Sequence, residues 1–209
     1  MSIVAAGSVT GFFHGVVEEA IRAQRVEATD GAASYLVALL SDYAHPDGRS
    51  TETFARPLAF QLEEALQTVE PAERFDRLRI LGDSILYSCG FFGDHFEAKG
   101  LDQGYLIGIG SSAYGAVSTM LRPSERDVTE CREDGSSTLD IYRELAEKFP
   151  CFVLVLGYIA DTSIACGVSG SGDLLKVYER WLKTGSETLA TALTSRGMVP
   201  TRGAKGIVQ

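Results

Sequence analysis

Apolar residues recur at steps of three and four along nearly the whole chain, and that period predicts helices. Phe13, Val16, Val17, Ala20 and Ile21 share one side of a segment from Val9 to Arg25, with Glu18, Glu19 and Arg22 opposite. Ser8 is placed to cap it. Tyr35, Leu36, Leu39, Leu40 and Tyr43 form the stripe of a second helix. A Thr29-Asp30 cap opens that helix, and the turn residues HPDGR, 45–49, stop it. Pro57 suits the first turn of a third helix, where its missing N–H is not needed. Leu58, Leu62, Ala65, Leu66 and Val69 supply the buried face. Pro71 starts a fourth helix, whose apolar positions run Phe75, Leu78, Leu81, Ile85, Cys89, Phe92 and Phe96.

The fifth helix, from about Asp102 to Leu121, carries two stripes. Leu106, Ile109, Ala113, Val117 and Met120 form an apolar one, and Gly104, Gly108, Ser112 and Gly115 a second of small residues. An interior helix glycine costs about 1 kcal/mol against alanine. Small residues in register therefore predict a neighbour at close range, and they put this Gly-rich helix at the centre of the fold. A charged connection follows over 122–136. Ser137-x-x-Asp140 then resembles a capping box for a sixth helix, with Leu139, Tyr142, Leu145 and Phe149 inward and Pro150 as its stop. The run CFVLVLGYIADTSIACG has the β-branched content of a strand, but its length and the lack of a partner strand favour a buried seventh helix. A last long helix starts near Ser171 and buries Leu174, Leu175, Tyr178, Trp181, Leu182, Leu189, Ala192 and Leu193. Gly185-Ser186 predicts a kink or a split in it. Residues 197–209 show no period and read as a flexible tail. The pattern is that of an all-α, single-domain bundle of about eight helices over residues 1–196.

Composition narrows the classes of function. Hydrophobic residues are 45% and charged residues 22% of the 209, close to the globular average. The net charge of -9 repels phosphate backbones and anionic membrane surfaces, so neither nucleic acid nor a membrane is an expected partner. The longest apolar run, Cys151 to Ala160, is about half of the roughly 20 residues a spanning helix needs. The first residues lack the basic start of a signal peptide. The four cysteines make no C-x-x-C pair, and Cys89, Cys151 and Cys166 sit among apolar neighbours. That usage fits a reducing compartment, and the expectation is a soluble cytoplasmic protein.

Candidate chemistry is sparse. A di-iron bundle needs paired Glu-x-x-His motifs. None of His14, His45 and His95 has a Glu three residues before it. The nearest substitutes are Asp42-x-x-His45, His14 with Glu18, and Asp94-His95, and helix-end polar chemistry accounts for them better than a metal site. His95 among Phe91, Phe92 and Phe96 is the best axial-ligand candidate for haem. Ser111-Ser112 does not complete a nucleophile elbow, and Gly108-x-Gly110 lacks the Lys-Ser/Thr of a phosphate loop. Cys131 has Arg126 and Arg132 nearby, opposed by four acidic neighbours. No cofactor is named by these patterns.

A polar line on the fourth helix carries more. Asp76, Asp83, Tyr87 and Asp94 follow at steps of seven, four and seven. On a peripheral helix this is a solvent face. On a central helix, Asp83, Tyr87 and Asp94 are buried, need partners, and line a pocket or an interface. Tyr105 and Tyr114 on the next helix add hydroxyls. The candidate ligand-binding or interface set is thus Asp83, Tyr87, Asp94, His95, Tyr105 and Tyr114.

The segments LGDSILYSCGFFGDHF, QGYLIGIGSSAYG and VYERWLKTGSETLATAL resemble parts of an all-helical bacterial family that has no established activity. The resemblance spans much of the chain. It implies a bacterial, single-domain protein and transfers no site residue. The absence of catalytic signatures and the excess of apolar helices give a first expectation: a homodimer acting through protein–protein interaction or regulation. The alternative is a helical enzyme or carrier with a small-molecule, haem or metal site between the central helices. The sequence leaves enzymatic activity open.

Overall fold

The computed structural model describes residues 6–44, 54–98, 100–122, 138–168 and 170–201. These form nine helices and no strand: α1 (Ala6–Ala23), α2 (Asp30–Tyr43), α3 (Leu58–Gln67), α4 (Pro71–Ala98), α5 (Gln103–Met120), α6 (Thr138–Glu147), α7 (Phe149–Cys166), α8 (Ser171–Thr184) and α9 (Glu187–Ser195). The expected turn at 45–49, the Ser137 cap, Cys131 and most of the 122–136 connection fall outside the described residues.

The helix boundaries follow local chemistry. Thr29 caps α2, its hydroxyl accepting from Ala32 N at 3.2 Å. Asp102 caps α5, accepting from Gly104 N at 3.3 Å and Tyr105 N at 3.0 Å. Pro150 does not end a helix. It sits in the first turn of α7, where a proline is tolerated, and the break from α6 falls two residues earlier, at Lys148. The expected last helix splits at Gly185, whose φ of 69° is the left-handed conformation glycine adopts without strain. At the end of α9, Gly197 N donates to Thr194 O and Met198 N to Leu193 O, both at 3.0 Å. This pair of bonds closes a Schellman cap, and Met198 packs on the core. The start of the expected tail is therefore tied down.

Two helices reach most of the others: α4 packs on α2, α3, α5, α7 and α8, and α7 on α1, α4, α5, α6 and α9. Of the small-residue stripe of α5, only Gly115 is half-buried, with Ala146 Cβ 4.0 Å from a Cβ placed there. Gly104, Gly108 and Ser112 are exposed, and a Cβ at Gly108 meets nothing within 4 Å. The close approaches lie elsewhere, where rings and branched side chains fill the space. A Cβ at Gly110 runs into the Phe149 ring, one at Gly82 into Tyr114, and one at Gly90 into Leu156. Gly90 thus brings α4 and α7 together.

The main core joins α1 to α7 through Val17, Leu36, Leu40, Leu78, Ile85, Leu106, Phe149 and Leu156, among others. A smaller cluster of Val177, Trp181, Leu189 and Leu193 packs α8 and α9 against Ile164 and Val168. Among the described residues, α7 is the one helix long and apolar enough to cross a membrane. Its buried residues, including Phe152, Leu156 and Ile159, belong to the core, as expected of the buried seventh helix.

Candidate functional site

The polar line of α4 divides into two sites. Asp83 is buried, and it draws hydroxyls from two other helices. Tyr35 on α2 donates to Asp83 Oδ1 at 2.5 Å and Tyr114 on α5 to the same oxygen at 2.8 Å. Arg79, one turn earlier on α4, donates from Nη1 to Oδ2 at 3.1 Å. Both oxygens are thus satisfied, as a buried carboxylate requires. Burial and then the Asp83 charge push the Tyr35 and Tyr114 hydroxyls well above the usual phenol range. Burial works against the Arg79 guanidinium, but Asp83 together with Tyr35, Tyr142 and Asp76 more than offsets it and leaves its pKa raised. The rings of Tyr35, Tyr114 and Tyr142 lie 5.5–6.1 Å apart and seal the group. The cluster ties three helices together.

Asp94 lies 11 residues further along α4, roughly 16 Å at 1.5 Å per residue. Between the two, α4 bends at Phe92, whose φ of −128° and ψ of 21° are not helical. Arg180 of α8 reaches this bend and donates from Nη1 to Phe91 O at 3.1 Å. A side-chain donor entering the helix ladder is a recognised cause of such kinks. The same guanidinium donates from Nε to Asp161 Oδ1 of α7 at 2.6 Å. Its Nη1 stands 3.6 Å from Asp94 Oδ1, and Lys183 Nζ stands 3.6 Å from Asp94 Oδ2.

These charges border a cavity of about 580 Å³. Gly90, Gly93 and Gly157 line it; Gly90 and Gly157 face each other across the α4–α7 contact, and Gly93 leaves the floor open. A Cβ at Gly93 meets only Gln103 Nε2, at 3.6 Å. Val153, Leu154 and Ala23 add apolar wall, and Tyr158, Gln24 and Gln103 add polar groups. The volume falls within the range of about 300–1,000 Å³ typical of small-molecule pockets. The lining is more polar than that of a typical site, with Asp94, Asp161, Arg180, Lys183 and Glu187 all at its wall.

The remaining expected residues do not join either site. Tyr87 is half-buried and stacks between Tyr43, at 4.1 Å between ring centroids, and Phe91, at 4.6 Å. His95 is exposed and meets the edge of Phe96 at 6.2 Å, so its aromatic neighbours do not enclose it as a haem ligand requires. Tyr105 is exposed, and its hydroxyl accepts from Ala59 N at 3.2 Å, linking α5 to α3. His14 pairs with Glu18 at 3.3 Å on an open surface. Among the described residues, no group of three or more His, Cys, Asp or Glu side chains is placed to hold a metal ion.

Of the six expected residues, the structure brings together Asp83 and Tyr114, and it places Asp94 at the cleft. Sequence reading missed Tyr35, Arg79, Asp161, Arg180 and Lys183. One signal was present: Asp161 is the only charge in the apolar run from Cys151 to Cys166, and a buried charge demands a partner. The partner, Arg180, lies 19 residues away on another helix, a distance no local pattern reports. Comparison with protein-family models, curated proteins and solved structures returned no match. The site therefore has to be read from its own chemistry.

Proposed function

We propose that the protein binds a small polar molecule in the cleft between α4, α7, α8 and α9, as a carrier or sensor. The observation that carries this reading is Gly93 at the floor of the cleft. Gly93 sits inside a helix, where alanine is worth up to about 1 kcal/mol more. No packed neighbour demands the missing side chain there, since the nearest atom to a Cβ is 3.6 Å away. What glycine preserves at this position is the open volume of the cavity. The site lies between α4 and α7 rather than between α4 and α5. A single-domain protein of the bacterial cytoplasm fits this role, and Cys89, Cys151 and Cys166, all free thiols, are consistent with a reducing compartment. The test is native mass spectrometry of freshly purified protein. A retained small molecule supports the reading; a bare chain that also takes up none of a panel of polar metabolites opposes it.

A second reading, a homodimer acting through protein–protein interaction or regulation, is favoured by the exposed face of α5. Gly104, Gly108 and Ser112 lie bare beside Tyr105, which is 41% exposed. Within one chain nothing offsets the helix cost of Gly108. A second copy packing backbone to backbone would do so. Light scattering at micromolar concentration distinguishes the two: a monomer removes the dimer and leaves the cleft.

A further inference from the structure

We infer that the molecule held in the cleft is anionic, and that its carboxylate or phosphoryl group binds between Arg180 and Lys183 in competition with Asp94. This rests on the reading of the cleft as a ligand site. The geometry that points to it is a set of ion pairs of unequal length. Charge-assisted N–H···O bonds close to about 2.7–2.9 Å. Arg180 reaches that range with Asp161, at 2.6 Å, and neutralises it. Asp94 does not reach it with either cation, standing 3.6 Å from Arg180 Nη1 and 3.6 Å from Lys183 Nζ. Among the described residues, neither Arg180 Nη2 nor Lys183 Nζ has a hydrogen-bond partner. Both side chains line the cavity, and both lie within reach of one small anionic group because they flank the same carboxylate.

The other charges fix where that group binds. Asp161 is already paired. Glu187, exposed at the cavity wall, repels an anion and leaves the α8 side as its place. Lys183, with its side chain 55% exposed, sits where an incoming ligand meets it first. Arg180, 13% exposed and anchored on Asp161 and Phe91 O, holds a fixed guanidinium behind it. Asp94 occupies the position between them and lowers the affinity for every anion. It thereby selects ligands that deliver more than a single weak charge.

Isothermal titration of the full chain at low salt tests this, with succinate and inorganic phosphate as probes and 1,4-diaminobutane as a cationic control. Wild type is expected to bind at least one of the two anions, and the tighter one identifies the group. Lys183→Gln is expected to weaken that binding about tenfold, and Asp94→Asn to strengthen it about tenfold. A scaffold role for Asp94 does not produce a gain. Lys183 is exposed enough that its variant folds, so the test does not depend on Asp94→Asn. Equal anion affinity in wild type and Lys183→Gln overturns the inference. Binding of the diamine but of neither anion overturns it and leaves the cleft reading standing. If no probe of either sign and no member of a wider metabolite panel binds, both fall.

Discussion

Arg180 Nε donates to Asp161 Oδ1 at 2.6 Å and fastens α8 to the core helix α7. Both groups are largely withdrawn from water, so each depends on the other. Removing one partner of a buried pair leaves an uncompensated charge, at a cost of about 3–5 kcal/mol. Arg180→Ala, which strands Asp161, is expected to lose that much in urea unfolding, and Asp161→Ala less, because Arg180 keeps Asp94 and Phe91 O. The joint replacement Arg180→Met with Asp161→Leu is expected to regain most of it, because the desolvation cost disappears with the charges. Single variants within about 1 kcal/mol of wild type would show that water reaches the pair.

The Asp83 cluster behaves differently because it has several donors. Tyr114→Phe removes one of them and leaves Tyr35 and Arg79 in place. A loss of about 1.5–3 kcal/mol is expected, the usual worth of a hydrogen bond to a charged group. Asp83→Ala strands two buried phenols and the guanidinium, and its loss should exceed that of Tyr114→Phe. The reverse order in chemical unfolding would contradict the assignment of Asp83 as the hub.

Alkaline pH attacks the same core. Burial pushes the Cys89 thiol up to about 12 from an ordinary value of 9.0, and raises Tyr35, Tyr114, Tyr142 and Tyr87 above the usual phenol value of 10.0. The folded chain holds these protons more tightly than the unfolded one. Their contribution to stability is therefore complete below about pH 9 and is lost as pH rises through 10 and beyond. Thermal melts from pH 7 to about 11.5 are expected to show a falling midpoint only in the upper part of that range. Tyrosinate absorbance should appear with unfolding rather than before it. On the acid side, Glu144 has the opposite sign. Burial opposes its charge, but bonds from Thr29 and Lys148 win and lower its pKa, so its contribution is lost as pH falls below about 4.5.

Two glycines separate the two functional readings. Gly93→Leu fills the cleft from its floor, with only Gln103 Nε2 near the new Cβ, and is expected to fold while losing ligand binding. Gly108→Leu points into open space. In a monomer it should stabilise α5 by up to about 1 kcal/mol. In a dimer built on that face it should raise the dissociation constant, as read by sedimentation. These outcomes are independent of each other.

Helix existence and order were legible in the sequence because the apolar period is strong and a cap such as Thr29 is local. The buried character of α7 was legible from its composition. The role of α5 was not. Periodicity locates Gly104, Gly108 and Ser112 on one face, but it does not say whether a helix or water covers that face. Small size alone misled, since the tight contacts fall at Gly82, Gly90 and Gly110, against Tyr114, Leu156 and Phe149. The line from Asp83 to Asp94 was visible as a pattern, while its division was not. That depends on the bend at Phe92 and on Arg180, which bonds Phe91 O from 89 residues later in the chain.

The most direct test of a ligand cleft is saturation-transfer NMR with a mixture of polar metabolites, run on wild type and on Gly93→Leu after circular dichroism has shown both to be helical. At least one compound giving a signal with wild type and none with Gly93→Leu is the predicted result. Identical spectra from the two proteins would contradict the account.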